Sequence, residues 1–575
     1  MPSSPDMRFR WDLAPQRPLE SRLLRDALGV RELTAACLLA RGLGDPADAD
    51  AFLAPKLAQL ADPFRLPAMD AAVQRLLKAR DQRQNITLFG YEDVDGVTSV
   101  ALLSTFLSDL GWSVAAYLPD RFKEGYGLTM AAAQNCHATM PAPLLLAVDC
   151  GSTAREPVRW LAEQGVDVLV LDHHQPGDSP ACPVAMVNPH LGQHDHELCS
   201  AGLAFKLAHA LLKAGRLLQL HGFLSYDLRP LLDLVALGTV ADLVPLVREN
   251  RILATAGIQR LRSTQRPGLV ALKQVAAVPD DVRVDHIGFQ LGPRLNAAGR
   301  LDSARRALDL LLAPNEAAAT PLAMDLDLHN RERQAIERTM ADDAIAMVRS
   351  RFKPASDYVI VEGHLLWHVG VVGIVASRVL REFHRPSLII GGDGDAWRGS
   401  GRSIPGFDLA AALRACDDLL LKHGGHAMAA GVTVAPAQID ALRDRLNRIA
   451  RASLHADLLV PALRIDASVS LHDLDIDAVE ELARLGPFGQ GNPPVHLKVP
   501  GLRHARPPQR IGKEQQHWRL SVTDGHATAD CLWWNAAGQP VPTAGFDLAA
   551  VPSIHEFNGR RSVQLKLLDW HASAS

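Results

Sequence analysis

Four apolar runs of this sequence each end at acidic or histidine side chains. In chain order, these side chains are Asp93 and Asp95, Asp149, Asp172-His173-His174, and Asp242. In an open parallel sheet, ligands bind beyond the carboxyl ends of the strands, so we expect the four segments to meet at one crevice. Carboxylate oxygens and imidazole nitrogens, without thiolates, suit Mn²⁺ or Mg²⁺ better than structural zinc.

A cluster of carboxylates at that crevice requires positive charge. Carboxylates that lie close together repel one another and raise each other's pKa. Two divalent ions about 3.5–4 Å apart would relieve that repulsion, clamp a phosphoryl group and generate hydroxide from water. The alternative is that each Asp caps the helix that follows it. Capping explains any one of these residues, but it explains the four segments with Asp-His-His poorly.

The elements that must position these residues can be read from the apolar runs. The runs NITLF (85–89), PLLLAV (143–148) and VDVLVL (166–171) alternate with stretches of helical spacing. Short, continuously apolar strands between helices predict a parallel sheet that is covered on both faces. A long helix follows, then a second α/β unit, and the pattern becomes all-β beyond about 460. The predicted fold class is therefore α/β with a C-terminal β-barrel.

Composition limits the class of protein. At roughly 100–200 residues per domain, 575 residues predict three or four domains. A net charge of −4 excludes a uniformly basic binder but not a local basic groove. The seven cysteines include no C-x-x-C pair, which argues against a zinc finger and suits a reducing compartment. The sequence has no secretory h-region and no long apolar span, so we expect a cytoplasmic protein that does not enter a membrane.

Several motifs resemble those of one superfamily. Asp172-His173-His174 resembles the signature of the DHH phosphoesterases, and the segments around Asp93, Asp149 and Asp242 resemble its other motifs in the same order. Over nearly its whole length, the chain is similar to the RecJ family, whose single-stranded-DNA-specific members carry DHH and DHHA1 domains and an OB-fold. The further segments that carry this resemblance are 119–127, 292–300, 367–378, 399–403, 424–431, 486–493 and 558–560.

The resemblance implies roles for individual residues. It implies that two Mn²⁺ or Mg²⁺ ions are held by Asp93, Asp95, Asp149, His173 and Asp242. It also implies catalytic positions for His174, near the scissile phosphate or the leaving oxygen, and for Asp172, which would orient a histidine. One motif departs from the family pattern, because Tyr91-Glu92 stands where relatives carry an acid followed by an aromatic residue. We expect the metal ligands to survive this change, since Asp93 and Asp95 are retained.

A second set of residues is expected to contact the nucleic-acid backbone. Glycine lets backbone N–H groups approach a phosphate closely, and arginine and serine add hydrogen bonds. With the resemblance, this reasoning gives the set Arg294, Arg300, Arg378, Ser400, Arg402, Ser403, Gly424, Gly425 and His426. The alternatives are tight turns with a core histidine for the glycine-rich segments, and internal salt bridges for Arg294 and Arg300.

The resemblance also implies a division of the chain and a function. The expected parts are an N-terminal helical segment packed on the catalytic domain (1–80), the DHH domain (81–315), a connecting helix (316–350), the DHHA1 domain (351–455) and the OB-fold (456–575). The implied activity is 5′→3′ hydrolysis of single-stranded DNA to 5′-mononucleotides in recombination and repair. The implied partners are a single-strand-binding protein and a helicase, and the absence of a heptad seam favours a monomer.

Two other functions fit parts of the sequence. A superfamily relative that acts on short oligonucleotides, cyclic dinucleotides or pyrophosphate would need only the two α/β domains, so the additional barrel argues against it. A replication scaffold that has lost its metal ligands would fit the change at Tyr91. The five retained ligand positions argue against the scaffold, because a decayed site is expected to lose several of them.

Overall fold

The computed structural model describes residues 9–573, apart from 122, 178, 193–196, 302, 393 and 544; the side chains of 300 and 301 are also outside the described part. The chain forms two compact units. Unit A comprises Ala51–Glu332 and Gly486–Pro493. Unit B comprises Arg333–Leu485 together with the described residues of Met1–Asp50 and Pro494–Ser575.

Unit A is built on a five-stranded sheet in which every neighbouring pair is parallel. Its strands, in spatial order, are Ser113–Tyr117, Asn85–Phe89, Leu144–Val148, Asp167–Leu171 and Ala185–Val187. The central strand is buried at all five positions, as expected for an apolar run with helices on both faces. The predicted parallel sheet is therefore confirmed, including the three strands placed by their apolar runs.

Helices cover both faces of this sheet. One face packs under helices that contribute to a large buried cluster: Met69–Asp81, Val94–Asp109, Ser200–Leu217 and Leu232–Ala241. The other face packs under Met130–Thr139 and Arg155–Glu163. The fourth apolar run, which ends at Asp242, is thus a helix and not a strand. Periodicity alone does not separate a short buried strand from a buried helical segment.

A series of further helices completes unit A. These are Pro46–Leu53, which extends from unit B into unit A, and Arg248–Arg262, Pro267–Val275, Gly292–Leu301 and Arg305–Leu311. A continuous helix of 36 residues, Glu316–Arg351, then contains the boundary between the two units. It corresponds to the helix predicted at 316–350. It has no glycine, and its single proline lies in the second turn.

Unit B contains a mixed sheet in its middle part. The spatial order is Lys422–His426, Ala429–Val434, Trp397–Arg402, Ser387–Gly391 and Ile360–His364, with only the last pair parallel. Its helices are Val372–Phe383, Leu409–Arg414 and Ile439–Ser453. Helix Leu409–Arg414 is short, and the chain is extended again from Lys422.

The C-terminal part of unit B is a closed barrel. Strand Leu497–Ile511 pairs with His517–Thr523 on one side and with Phe546–Phe557 on the other. The ring is completed through Thr528–Trp533 and Arg560–Ala572. Five strands closed in this way form the architecture of an OB-fold, and the barrel prediction is confirmed.

The N-terminal segment is divided between the units. Helix Met69–Asp81 lies in the core of unit A, whereas strand Arg10–Leu13 pairs with Ala462–Ile465 of unit B. Helices Pro18–Leu28 and Glu32–Ala40 also belong to unit B. A buried ion pair between Arg41 and Asp466, at 2.7 Å, holds this part in place. The structure therefore differs from the expectation of one segment at 1–80 packed on the catalytic domain. None of the helices in the described residues is long and apolar enough to cross a bilayer.

Candidate metal centre

Three carboxylates converge on one imidazole nitrogen in unit A. His173 Nε2 lies 3.4 Å from Asp149 Oδ1, 3.6 Å from Asp242 Oδ2 and 3.9 Å from Asp95 Oδ2. This nitrogen is buried and makes no hydrogen bond within the described part of the chain. A buried imidazole nitrogen that faces carboxylates without bonding to them fits a metal ligand better than a structural histidine.

The side chains form two overlapping ligand groups. One consists of Asp149, His173 and His174, and the other of Asp95, His173 and Asp242. Within each group, the ligand atoms lie within 4.8 Å of one another. We call the five residues the carboxylate–histidine cluster. The two groups offer two neighbouring cation positions, and their nitrogen and oxygen atoms suit Mn²⁺ or Mg²⁺.

Different elements bring these residues together. Asp149 follows the central strand directly, and its φ of +64° places it in the left-handed region, which is costly for a non-glycine residue. Asp95 lies in the first turn of helix Val94–Asp109, and Asp242 lies at the carboxyl end of helix Leu232–Ala241. A negative charge is unfavourable at a helix carboxyl end, so the position of Asp242 also calls for a nearby cation.

The carboxylates disfavour one another's ionisation. Burial raises the pKa of Asp149 well above its usual value, and Asp95, Asp93 and Asp242 raise it further. Burial and the charges of Asp95 and Asp93 raise the pKa of Asp242 to about 9. For Asp95, burial and then Asp93 raise the pKa to about 6, against backbone hydrogen bonds that lower it. Cations at the cluster would remove this repulsion.

Asp172 bonds to His174 and not to His173. Its Oδ1 lies 2.8 Å from His174 Nδ1, and its Oδ2 accepts a hydrogen bond from the Ser152 amide at 3.0 Å. Burial alone would raise the pKa of Asp172, but His174 and the backbone donors outweigh burial and lower it to about 2. Burial would likewise lower the pKa of His174, but Asp172 raises it to about 9.

The segment around Asp93 and Asp95 begins a helix and does not continue as an extended strand. Asp93 is the N-cap residue of helix Val94–Asp109, and its Oδ1 accepts a hydrogen bond from the Gly96 amide at 3.1 Å. The capping alternative therefore describes Asp93 correctly. Asp93 lies close enough to raise the pKa of Asp95, Asp149 and Asp242, but it belongs to neither ligand group among the described residues.

The side chain of Tyr91 packs in the apolar layer that includes Phe89 and Cys150. A Cβ built on Gly127 would lie 3.6 Å from the Tyr91 ring, so the loop that follows strand Ser113–Tyr117 packs directly against this ring. The neighbouring Glu92 carboxylate is buried, with Arg121 Nη1 at 4.0 Å. The departure from the family pattern thus replaces an acid with a packing residue and leaves the carboxylate–histidine cluster in place.

Ser200, which is not among the predicted site residues, contacts two members of the cluster. Its backbone N–H donates to Asp95 Oδ2 at 2.7 Å, and its hydroxyl donates to Asp149 Oδ1 at 2.8 Å. The Ala201 amide donates to the other oxygen of Asp95 at 2.8 Å. The amino end of helix Ser200–Leu217 therefore fixes two carboxylates. No motif marks this contact, because it joins segments that are 51 and 105 residues apart.

Replacing Ser200 with Ala should weaken metal binding without unfolding unit A. The variant loses the hydroxyl that orients Asp149 but keeps the amide that bonds to Asp95. Groups that orient metal ligands typically contribute about 10–100-fold to affinity or activity. The change would be measured as the Mn²⁺ dissociation constant by calorimetric titration.

Ser99→Ala is the matched control, because the Ser99 hydroxyl is buried but has no hydrogen-bond partner among the described residues. Equal Mn²⁺ affinity in the Ser200→Ala and Ser99→Ala variants would contradict this role.

Two of the predicted nucleic-acid residues form a cationic site in unit B. Arg402 Nη1 donates to Ser400 Oγ at 2.9 Å. Burial lowers the pKa of Arg402. Within the described residues, no acidic side chain forms an ion pair with this guanidinium. A Cβ built on Gly373 would lie 3.0 Å from Arg402 Nη2, so this guanidinium abuts the first turn of helix Val372–Phe383. A partly buried arginine beside a helix amino end suits a phosphate.

The other glycine-rich residues have different surroundings. Gly424, Gly425 and His426 lie exposed on the edge strand of the mixed sheet. Gly425 has a φ of +133°, and an added Cβ would lie 2.5 Å from the Ala429 carbonyl, so only glycine fits there. Ser403 instead is buried and donates to the Phe407 carbonyl at 2.7 Å. The hydroxyl of Ser403 is therefore engaged within the fold.

Two other predicted arginines, Arg294 and Arg378, form ion pairs within the protein. Arg294 bonds to Asp327 at 2.9 Å, which is the internal salt bridge weighed as its alternative. Arg378 pairs with Glu337 at 2.8 Å while its side chain stays 41% exposed. The side chain of Arg300 lies outside the described residues. In the same helix, Asn296 Oδ1 accepts a hydrogen bond from the Val94 amide at 3.1 Å and so supports the first motif.

Comparison with known proteins gives three domain matches. The profile described as "DHH family, N-terminal domain" matches residues 85–239 and contains all of the cluster except Asp242. The "DHHA1 domain" profile matches 356–452, which contains the Arg402 site. The "RecJ OB domain" profile matches 465–569, which contains the closed barrel.

Characterised relatives resemble the chain over almost all its length. The single-stranded-DNA-specific exonuclease RecJ of Bacillus subtilis is 36% identical, and the match covers 98% of this chain and 71% of that protein. Two solved structures of RecJ from Thermus thermophilus cover 98% of this chain. The complex with Mn²⁺ has a TM-score of 0.84 at 29% identity over 80% of that chain. The complex with Mg²⁺ has a TM-score of 0.79 at 28% identity over 79% of that chain.

Proposed function

Because the chain belongs to the RecJ family of single-stranded-DNA-specific exonucleases, we propose that it hydrolyses phosphodiester bonds of single-stranded DNA from the 5′ end. The products are 5′-mononucleotides, and the activity serves DNA recombination and repair. The observation that carries this proposal is the buried His173 nitrogen, which faces three carboxylates without bonding to any of them. Buried carboxylates that face one another are unfavourable unless cations lie between them.

The ligands of two Mn²⁺ or Mg²⁺ ions would be Asp93, Asp95, Asp149, His173 and Asp242, of which all but Asp93 belong to the two ligand groups. When bound, such ions clamp the phosphoryl group and generate hydroxide from water. Asp95 and Asp149 are held by Ser200, and Asp172 holds His174 through a 2.8 Å contact. The chain thus fixes its ligands before substrate arrives, which lowers the cost of reorganisation.

His174 is the residue that we assign to the substrate. It is half-exposed, unlike His173, and its side chain retains 48% exposure beside the buried Asp172. Asp172 holds the imidazole in one orientation and favours its protonated form. A protonated His174 can position the scissile phosphate or donate a proton to the leaving oxygen.

The Arg402 site is assigned to the DNA backbone, together with the exposed Gly424, Gly425 and His426. A guanidinium without an acidic partner in the described residues is available for a phosphate, whereas Arg294 is already engaged with Asp327. Arg378 is also assigned to the DNA backbone. Its guanidinium pairs with Glu337, but 41% of the side chain stays exposed and can contact a phosphate. Ser403 supports this site from the buried side, through the loop that ends at Phe407.

Replacing Arg402 with Ala should raise KM for single-stranded DNA about 10-fold or more, with a smaller effect on kcat. A hydrogen bond to a charged group contributes about 1.5–3 kcal/mol. The salt dependence of binding should fall by about one phosphate contact. Steady-state kinetics and binding isotherms over a range of salt concentrations would measure both changes.

Arg445→Ala is the control for Arg402→Ala, since Arg445 lies in the same unit and is paired with Asp418 at the surface. If the two variants had the same KM and salt slope, the Arg402 assignment would be wrong.

Partners, location and domain limits are part of this proposal. A single-strand-binding protein and a helicase would supply unwound DNA, and the enzyme would act as a monomer in the cytoplasm. The proposed limits are 81–315 for the DHH domain, 316–350 for the connecting helix, 351–455 for the DHHA1 domain and 456–575 for the OB-fold. The three domain matches and the helix Glu316–Arg351 support these limits. Residues 1–80 do not form one such part, because 51–80 belong to unit A and the described residues up to 50 belong to unit B.

End-labelled DNA provides the test. Single-stranded DNA labelled at the 5′ end or the 3′ end would be incubated with Mn²⁺, Mg²⁺ or EDTA, with a duplex of the same sequence as a control. We expect early release of labelled mononucleotide from the 5′ label alone, only with metal and only from the single strand. Strand binding without cleavage in any metal would favour the scaffold function. Cleavage restricted to short oligonucleotides would favour the second alternative.

A further inference from the structure

The segment Gly486–Pro493 lies in a unit different from that of its neighbours in sequence. Its sequence is GPFGQGNP, and it belongs to unit A, although the residues before and after it belong to unit B. The segment resembles the RecJ family pattern, and no role follows from that resemblance. We call it the strap. Its contacts show what it holds.

The strap packs on the loop that follows Asp242. The Leu246 amide donates to the Gln490 carbonyl at 2.7 Å. A Cβ built on Gly489 would lie 2.8 Å from Leu246, and one built on Gly491 would lie 2.7 Å from Pro245. Both glycines therefore allow a close approach that any other residue would prevent.

The strap is itself rigidly closed and anchored. Gly489 and Asn492 form a bridge, and the buried Asn492 amide donates to the Pro487 carbonyl at 2.9 Å. At the strap's beginning, the fully buried Arg251 donates to the Gly486 carbonyl at 2.5 Å and also holds the Phe52 carbonyl. This buried arginine therefore fixes the beginning of the strap to the segment that contains Phe52.

The loop is held from its other side as well. Asn250 donates to the Pro245 carbonyl at 3.1 Å and to the Glu197 carbonyl. The loop begins at Leu243, a residue with a φ of +62° and an exposed side chain. Leu243 thus contributes little packing to hold the residue before it, Asp242. The position of that carboxylate depends on the backbone path through Pro245 and Leu246.

We propose that the strap is a positioning element for the metal ligand Asp242. It presses Pro245 and Leu246 against helix Arg248–Arg262 and so fixes the backbone that carries Asp242 into the cluster. The inference rests on the proposed function, because it takes Asp242 as a ligand. The strap contributes no group to the reaction. It keeps one carboxylate at a helix carboxyl end, beside other carboxylates, where charge repulsion would otherwise displace it.

A pair of glycine variants tests the strap. Gly491 has a φ of +71°, and Gly501 has a φ of +68° with no atom within 4 Å of an added Cβ. Alanine at either position introduces a similar backbone strain, but only Gly491→Ala pushes on Pro245. We expect Gly491→Ala to weaken Mn²⁺ binding about 10-fold, the lower end of what ligand-orienting groups contribute, and Gly501→Ala to leave it unchanged. Calorimetric titration measures the affinity, and thermal melting shows whether each variant is folded.

A rescue variant separates positioning from a general loss of stability. Pro245→Gly removes the atom nearest to the added methyl group, so the double variant Gly491→Ala, Pro245→Gly should recover Mn²⁺ affinity relative to Gly491→Ala. Unchanged affinity in Gly491→Ala, or no recovery in the double variant, would overturn the proposal. Failure of the wild-type protein to bind Mn²⁺ would instead overturn the proposed function, so the two failures are distinguishable.

Discussion

Replacement of His173 with Ala should reduce the hydrolysis of single-stranded DNA by at least about 10²–10³-fold, the loss that follows removal of one strong transition-state-stabilising group. His173 is the residue common to both ligand groups, and its buried Nε2 faces all three carboxylates. Without it, neither cation position is complete. The loss should appear in kcat and in Mn²⁺ affinity together, measured by steady-state kinetics and calorimetric titration.

Two comparisons make the His173 result specific. His174→Ala removes a member of one group only, so metal binding should be retained better than in His173→Ala while kcat still falls. His137→Ala should behave as wild type, because that imidazole makes a T-shaped contact with Trp160 in the same unit and belongs to neither ligand group among the described residues. A His173→Ala enzyme with wild-type Mn²⁺ affinity would show that the cluster is not the metal site.

The largest stability effect is expected at a buried ion pair in unit A. Lys206 is 1% exposed, and its ammonium lies 2.8 Å from Glu249 Oε1 and donates to the Ala61 carbonyl at 2.6 Å. Lys206→Met removes the buried ammonium with which the mostly buried Glu249 carboxylate pairs. Breaking such a pair from one side costs about 3–5 kcal/mol in the free energy of unfolding. Urea unfolding of the metal-free protein, followed by circular dichroism, would measure it.

The same helix offers a matched control for Lys206. Lys213 lies two turns further along helix Ser200–Leu217 and pairs with Asp62, but both side chains are more than a third exposed. Exposed pairs of this kind contribute about 0–1 kcal/mol, so Lys213→Met should have little effect. The double variant Lys206→Met, Glu249→Gln should recover part of the lost stability, because it also removes the carboxylate charge that the Lys206 ammonium offset. Equal destabilisation by Lys206→Met and Lys213→Met would refute this account of burial.

The sequence predicted the parts of the site that local patterns encode. Strands Asn85–Phe89, Leu144–Val148 and Asp167–Leu171 were predicted because each is a short apolar run, and Asp149 and His173 follow from where those runs end. The run before Asp242 was misread as one more strand-like segment, because a fully buried helix shows no amphipathic period. The convergence of the four segments nevertheless survives, since the helix also ends at the cluster.

The contacts that orient the ligands could not be predicted from the sequence. Ser200 donates a hydrogen bond to Asp149, which is 51 residues away in sequence. The Gln490 carbonyl accepts a hydrogen bond from Leu246, which lies in a distant part of the sequence. Neither contact has a local spacing that a pattern could reveal.

Arg294 shows how a motif can indicate the wrong partner for a residue. Its motif suggested a phosphate contact, but only the fold brings Asp327 to within 2.9 Å of it.

The central claim is that the carboxylate–histidine cluster holds the catalytic metal. Diffraction from crystals grown with Mn²⁺, recorded at the manganese absorption edge, tests it most directly. We predict anomalous signal within the cluster, with His173 and Asp149 among the ligands, and loss of that signal in the His173→Ala variant. Absence of manganese from the cluster at saturating Mn²⁺, or manganese bound only at other residues, would contradict the claim.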